Sequence, residues 1–295
     1  MKDLTGKIAF VTGGASGIGF GLVRSFLEEG MTVVVADVNE RLLDEVRAAL
    51  KGLNAVHFVR TDVADREQMR AAADEAIRLC GKIHVLCNNA GVAGGGAVDD
   101  PDFSAWDRAM RINFGGVVNG VKIIAPLIKA HGEGGHIVNT SSMAGIVALP
   151  GDGGAYSTSK FAVRGLTESL RLSLAPHGIG VSCLCPGLTR SRIMEGSLDG
   201  DEGSAMARPG DPDALFNSME GAMDPLEVGA AVVRGIRENA PYILPHSEFR
   251  DEVAGLFDEI LAAFPRNQQI HPARLAFEDG RREMTEALRR LPVKG

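Results

Sequence analysis

Tyr156 and Lys160 stand four residues apart in Tyr156-Ser157-Thr158-Ser159-Lys160. On a helix, positions i and i+4 share a face, so a phenol and an ammonium can point into one site. A free tyrosine titrates near ~10 and stays protonated at neutral pH. Bringing it into use near pH 7 means lowering that value by about three units, roughly 4 kcal/mol. A cation about 4 Å away supplies that much at an effective dielectric of about 20. The pair therefore has the makings of an acid-base catalyst, provided other residues converge on it. The spacing alone also suits an ordinary helix face.

The elements that must position the pair are readable from hydrophobic periodicity. Ile8 to Val11, Thr32 to Ala36, Val56 to Val59, Ile83 to Cys87, His136 to Thr140 and Gly180 to Cys185 read as buried strands. Helical patterns lie between them: Ile18 to Glu29, Arg41 to Leu50, and a stretch opened by the capping-box sequence Asp65-Arg66-Glu67-Gln68 and running to Leu79. Two separate helices are expected over about Phe103 to Arg111 and Phe114 to Lys129, and the helix carrying Tyr156 and Lys160 should run to about Ala175. Val/Ile runs alternating with helices imply a parallel sheet covered on both faces. The expected fold is α/β: a single-domain, Rossmann-type, doubly wound parallel sheet with a C-terminal helical extension. The catalytic domain should span residues 1–264, with a charged tail over 265–295 that holds one more possible helix. A helix over Pro225 to Asn239, a short strand at Tyr242 to Leu244 and a helix over Glu248 to Phe264 complete the reading.

In such sheets, ligands bind beyond the carboxyl ends of the strands. The remaining motifs fall at those ends. Thr12-Gly13-Gly14-Ala15-Ser16-Gly17-Ile18-Gly19 joins the first strand to the first helix. Gly13, Gly17 and Gly19 would permit a tight turn and a close backbone approach, with Ser16 and Ile18 at a helix N-terminus suited to a pyrophosphate. Asp37 ends the second strand, 18 residues after Gly19. A carboxylate there can accept both hydrogen bonds from an adenosine ribose and would repel a 2′-phosphate, so NAD is expected rather than NADP. The blander alternative is that Asp37 caps the following helix. Asp62 and Val63 end the third strand and could flank an adenine, or Asp62 could be a cap. Asn88-Asn89-Ala90-Gly91 ends the fourth strand, Ser141-Ser142 the fifth and Pro186-Gly187 the sixth.

Bulk properties narrow the function classes. The 295 residues carry a formal net charge of −7, which argues against a nucleic-acid surface. No apolar run approaches the roughly 20 residues of a membrane span. Met1 to Lys7 leads almost directly into a strand without a signal-peptide pattern, which fits a cytoplasmic protein. The four cysteines have no zinc-ligand spacing, and no metal is expected; buried, reduced thiols are the simplest reading.

Taken together, these residues resemble the short-chain dehydrogenase/reductase family. The matching positions are the Thr12–Gly19 turn, Asn88-Asn89-Ala90-Gly91, Asn113 within Ile112-Asn113-Phe114-Gly115-Gly116, Ser142, Tyr156, Lys160 and Pro186-Gly187. The resemblance implies a hydride exchanged between a nicotinamide and a secondary alcohol or ketone. It implies that Tyr156 exchanges a proton with the substrate oxygen, while Lys160 lowers the tyrosine's pKa and bonds the nicotinamide ribose. Ser142 would steady the same oxygen, and Asn113 would hold a water linking Lys160 to solvent. Asn89, Ala90, Gly91, Pro186, Gly187 and Thr189 would line the cofactor, with Thr189 a candidate partner of the nicotinamide amide. The family usually places its serine 13 positions before the tyrosine, whereas Ser142 precedes Tyr156 by 14. The extra residue falls in the loop Leu149 to Gly154, and Ser141 is the alternative if the register differs.

Residues 188–223 are rich in Gly, Ser, Asp and Met and read as a substrate lid. The stretch Pro241 to Arg250 is similar to NAD-dependent Cα-dehydrogenases of bacterial lignin β-aryl ether breakdown, which implies a bulky benzylic alcohol as substrate. Within that stretch His246 reads as a packing or interface residue. A hydroxysteroid or other alicyclic alcohol is the alternative substrate, and a catalytically silent NAD sensor the alternative of another class. The resemblance also implies a homo-oligomer, tetramer or dimer.

Overall fold

A computed structural model describes residues 1–94, 98–191 and 221–295. Seven parallel strands form one sheet: β1 (Ile8–Thr12), β2 (Thr32–Asp37), β3 (Val56–Arg60), β4 (Val85–Asn88), β5 (Gly135–Thr140), β6 (Ile179–Leu184) and β7 (Tyr242–Ile243). Their spatial order is β3-β2-β1-β4-β5-β6-β7. The chain thus builds outward from β1 in one direction and from β4 in the other. The crevice between the carboxyl ends of β1 and β4 is the switch point at which such sheets bind ligands.

Strand residues alternate between two apolar layers. Ala9, Val11, Val33 and Val35 face a layer with Leu22, Phe26, Val228 and Ile236. Phe10, Val34, Ala36 and Leu86 face the opposite layer with Met69, Ala76, Ile124 and Ile128. Both faces are covered, which is why these strands read as unbroken Val/Ile runs. On the first face lie α1 (Gly17–Glu28), α2 (Glu40–Ala49) and α7 (Pro225–Glu238). Helices α1 and α7 approach closely: a Cβ on Gly21 would stand 2.2 Å from the Pro225 carbonyl oxygen, and one on Gly229 would stand 2.3 Å from Ser25 Oγ. The other face carries α3 (Arg66–Cys80), α4 (Ser104–Ala109), α5 (Gly116–His131) and α6 (Gly154–Leu174).

Local signals explain the helix ends. Asp65 caps α3 by accepting from the Glu67 and Gln68 amides at 2.8 and 3.2 Å. Asn39 caps α2 by accepting from Leu42 N–H at 3.2 Å, so Asp37 is not that helix's cap. One expectation needs correcting. The two separate helices expected between about 103 and 129 are a single run, because a π-helical stretch, Met110–Gly115, joins α4 directly to α5. A wide turn absorbs the misfit without breaking the rod. Asn113 lies in it and is fully buried.

Beyond β7 come α8 (Arg250–Ala262) and α9 (Pro272–Arg289), neither of which contains a buried residue. The chain then returns to the main body, where Lys294 N–H donates to the Gly178 carbonyl at 2.9 Å and Lys2 N–H to the Gly295 carbonyl at 3.1 Å. Most of the expected lid lies outside the described residues. Its two ends are held together, with Arg190 N–H donating to the Met223 carbonyl and Met223 N–H to the Leu188 carbonyl, both at 3.0 Å.

Candidate active site

The turn after β1 is shaped for something to lie against it. Gly13 and Gly17 have φ of 62° and 47°, in the left-handed region. A Cβ on Gly19 would stand 1.9 Å from the Gly13 carbonyl oxygen, so the turn and the first turn of α1 close only around glycine. Ser16 is the N-cap residue of α1, yet its side chain makes no capping bond, and the first turn holds no acidic residue. The helix therefore presents free amides and the positive end of its dipole to the crevice, an arrangement that suits a diphosphate.

Asp37 borders the same cleft. Its Oδ2 accepts from Ala15 N–H at 3.1 Å and its Oδ1 from Asn39 N–H at 3.0 Å. Burial raises its pKa, and the backbone amides of Asn39, Ala15 and Val38 counter that rise. Arg41 also lines the cleft but is paired with Glu45 at 2.6 Å, and Arg60 donates to the Val38 carbonyl at 3.3 Å. Both arginines beside Asp37 are thus engaged with other partners.

On the β4 side, Thr12 ties two strand ends together. Its Oγ1 accepts from the amides of Asn89 and Ala90 at 2.9 and 3.1 Å and donates to the Cys87 carbonyl at 3.3 Å. Asn89 Nδ2 donates to the Thr12 carbonyl at 3.1 Å. A Cβ on Gly13 would stand 2.8 Å from Ala90 Cα, so the β1 and β4 ends lie in backbone contact. Asp62 accepts from Ala64 N–H at 2.9 Å, which makes it a turn residue as well as a cleft residue.

Behind this wall, the Asn113 amide is committed on both sides. Its Oδ1 accepts from Val92 N–H at 2.8 Å, and its Nδ2 donates to the Val92 carbonyl at 3.0 Å and to Ser159 Oγ at 3.1 Å. Both amide protons are used. The side chain clamps the segment after Gly91 to the helix that carries Tyr156. The expectation that Asn113 holds a water therefore finds no free donor on its side chain.

Tyr156 and Lys160 occupy the first two turns of α6 and both line the cleft. Ser142 is the side chain that pulls the Tyr156 phenol's pKa down. Ser142 Oγ accepts from Ala144 N–H at 3.1 Å. Ser141, by contrast, turns inward and donates to the Lys160 carbonyl at 2.7 Å. Ser142, 14 residues before the tyrosine, is thus the serine that acts on the phenol, while Ser141 lines the cleft with its hydroxyl committed to the Lys160 carbonyl. Lys160 Nζ donates to the Thr140 carbonyl at 3.1 Å and lies 5.5 Å from the centre of the Tyr156 ring. Burial pushes the Lys160 pKa down to about 8. Burial also raises Tyr156 above its usual value, with Ser142 pulling the other way. The expected lowering of Tyr156 by Lys160 is thus absent here: desolvation outweighs it, and the ammonium is bonded to a carbonyl instead.

A cavity of about 410 Å³ gathers these parts. Its lining takes in Gly13, Ser16, Gly17, Ile18, Asp37, Asp62, Val63, Asn89, Ala90 and Gly91 on one side, and Tyr156, Lys160 and Pro186 on the other. Gly19, Asn113, Ser142, Gly187 and Thr189 lie off the lining. Thr189 is buried and its hydroxyl donates to the Gly187 carbonyl at 3.3 Å. Sequence reasoning missed Val92, Thr140 and Ser191 as lining residues, and Ser159 as the partner of Asn113. Thr140 acts through its backbone carbonyl, which leaves no trace in residue type. A separate cluster, His84, His131 and Glu133, lies at the amino ends of β1, β4 and β5. His84 Nδ1 accepts from Ile8 N–H and Nε2 bonds Glu133, while His131 bonds the Ile83 carbonyl and Glu133 N–H, so no ring lone pair is free for an ion.

Residues 7–202 match the family described as short chain dehydrogenase. The chain is a short-chain dehydrogenase. Family membership makes it an oxidoreductase acting on CH–OH groups with a nicotinamide cofactor. Among curated short-chain dehydrogenases it is 34% identical over 277 residues to a C alpha-dehydrogenase of Sphingobium sp. (strain SYK-6), covering 88% of this chain and 87% of the relative. It is 36% identical over 210 residues to a 3beta-hydroxysteroid dehydrogenase 2 of Eggerthella lenta, covering 70% of this chain and 80% of the relative. A short chain dehydrogenase/reductase from Burkholderia phymatum, solved in complex with NAD, superposes with a TM-score of 0.77 at 33% identity, covering 92% of this chain and 100% of that one.

Proposed function

We propose that this short-chain dehydrogenase uses NAD to interconvert a secondary alcohol and its ketone, and that the substrate is a bulky benzylic alcohol. The observation that carries the proposal is that Tyr156 and the buried Lys160 line one cleft together with Asp37 and the glycine turn after β1. A bound nicotinamide supplies the acceptor or donor of the hydride. Tyr156 takes the alcohol proton in oxidation and returns it in reduction. Ser142 holds the Tyr156 hydroxyl and steadies the substrate oxygen. Lys160, at about 8, stays largely protonated at neutral pH and donates toward the cofactor ribose. Asp37 accepts from the adenosine ribose, Asp62 and Val63 flank the adenine, and Pro186, Gly187 and Thr189 border the nicotinamide.

The substrate class rests on the C alpha-dehydrogenase relative. The hydroxysteroid dehydrogenase relative favours a second reading, an alicyclic alcohol. The assay is NADH formation with a panel of benzylic and alicyclic secondary alcohols between pH 6 and 10. Turnover should favour the benzylic members, and oxidation should speed up with pH as Tyr156 loses its proton. Tyr156→Phe should abolish turnover and leave NAD binding intact; turnover surviving that change would refute the proton-carrier role. Homo-oligomerisation is part of the same proposal. Phe257, Leu261 and Phe264 on and after α8, and Phe277 and Met284 on α9, expose apolar surface that a second copy could cover. Light scattering showing only the 31.1 kDa monomer would refute it.

A further inference from the structure

His246 is 5% exposed, and both its ring nitrogens bond the turn that follows β6. Nδ1 accepts from Gly187 N–H at 3.0 Å, and Nε2 donates to the Leu188 carbonyl at 3.0 Å. An acceptor at Nδ1 and a donor at Nε2 define one neutral tautomer. Phe249 stands edge-on to the imidazole at 6.5 Å. A Cβ on Gly187 would come within 2.7 Å of the Phe249 ring and 2.9 Å of His246 Cδ2, so the glycine lets the clamp close.

The opposite side of this turn faces the proposed catalytic residues. The Pro186 carbonyl accepts from Met143 N–H at 2.9 Å and lies 3.5 Å from Ser142 Oγ. Ser142 Oγ also accepts from Ala144 N–H at 3.1 Å. The Pro186 carbonyl thus holds the backbone of Met143, and with it the neighbouring Ser142, at the end of β5.

We propose that His246 is a positioning residue for the reaction: by clamping Gly187 and Leu188 it holds the Pro186 carbonyl on Met143 N–H, and so fixes where Ser142 stands beside Tyr156. The inference rests on Tyr156 being the proton carrier. It extends the site to a residue 90 positions beyond Tyr156 in the chain that touches neither substrate nor cofactor.

The test compares His246→Leu, His246→Asn and His246→Gln with the wild-type chain. Asparagine can restore the acceptor for Gly187 N–H, and glutamine the donor to the Leu188 carbonyl, so each rebuilds about half of the clamp. The readouts are kcat, the KM values for NAD and a benzylic alcohol, and the pH dependence of kcat. His246→Leu should lower kcat roughly ten- to a hundred-fold, as a misplaced catalytic hydrogen bond does. It should move the midpoint of the pH profile while leaving KM for NAD nearly unchanged, and Asn and Gln should recover part of both effects. If the leucine variant does not fold, the midpoints of the other two decide. The proposal is overturned if every folded variant keeps the wild-type pH midpoint and differs only in KM or melting temperature. Turnover by Tyr156→Phe would instead remove the reading beneath it. An inactive Tyr156→Phe together with unaltered His246 variants would overturn the role of His246 alone.

Discussion

Replacing Lys160 by methionine should kill the enzyme and stabilise the fold at neutral pH. Burial holds the Lys160 ammonium at about 8, against 10.5 for the free side chain. The gap of about 2.5 units corresponds to about 3 kcal/mol. Its sign follows from proton counting. Below pH 8 the lysine is protonated in both the folded and the unfolded chain, and the folded state carries the whole cost of the buried charge. Between about 8 and 10.5 the unfolded chain holds a proton that the folded chain has lost, so wild-type stability rises by ~1.4 kcal/mol per pH unit. Methionine fills a similar volume and does not titrate. It also strips the Thr140 carbonyl of its donor, at a cost of about 1 kcal/mol. The variant should therefore be about 2 kcal/mol more stable at pH 7, with that advantage shrinking steadily above pH 8. Denaturant unfolding of both proteins from pH 7 to 9.5 measures this directly. All other titrating groups are shared, so the difference between the two curves isolates Lys160. Parallel curves across that range would refute the argument, because they would mean that Lys160 titrates alike in the folded and unfolded chains.

Two further outcomes probe the ends of the cleft. Asp37→Asn keeps an acceptor for only one of Ala15 and Asn39 and removes the charge; it should weaken discrimination between NAD and NADP by roughly ten- to a hundred-fold, the worth of one charged hydrogen bond. Steady-state kinetics with both cofactors would show it, and an unchanged ratio would count against a ribose role for Asp37. Ser142→Ala should lower kcat by roughly a hundred- to a thousand-fold. Ser141→Ala should mainly lower the melting temperature, because it orphans a buried bond to the Lys160 carbonyl. The reverse pattern in kcat and melting would reassign the catalytic serine.

The sheet was readable from residue types because its physics is crude. Strands covered on both faces need apolar side chains at every position, and Thr32 to Ala36 has almost nothing else. The cofactor turn was readable for a similar reason, since Gly13 and Gly19 leave no room for a Cβ. Finer choices were not. Asp37 and Asn39 are both good capping types, and only the end of β2 decides that Asn39 caps while Asp37 faces the cleft. Ile112-Asn113 looked like a break between helices because an i→i+5 turn has no compositional signature of its own. The work of Thr140 and Val92 passes through main-chain atoms, so their side chains carry no hint of it. Substrate choice was the least readable, since no residue type outside the strand-end motifs names an alcohol.

The Tyr156–Lys160 pair shows why spacing alone could not settle the chemistry. An ion-pair argument assumes that the ammonium sits against the phenol oxygen. In the fold, burial penalises charge on both groups, moving Lys160 down and Tyr156 up. The lysine resolves its own cost by bonding the Thr140 carbonyl. What acts on the tyrosine against burial is the neighbouring Ser142 rather than the lysine. That makes the 14-residue gap decisive. The loop must take up one residue more than the family's usual spacing and still return Tyr156 to the serine. It does so through short 3-10 turns at Met143–Gly145 and Gly151–Gly153, with Leu149 N–H tied to Ser157 Oγ at 3.0 Å. Leu149 and Pro150 stand exposed in this loop, while Ser142 Oγ is held by Ala144 N–H at 3.1 Å.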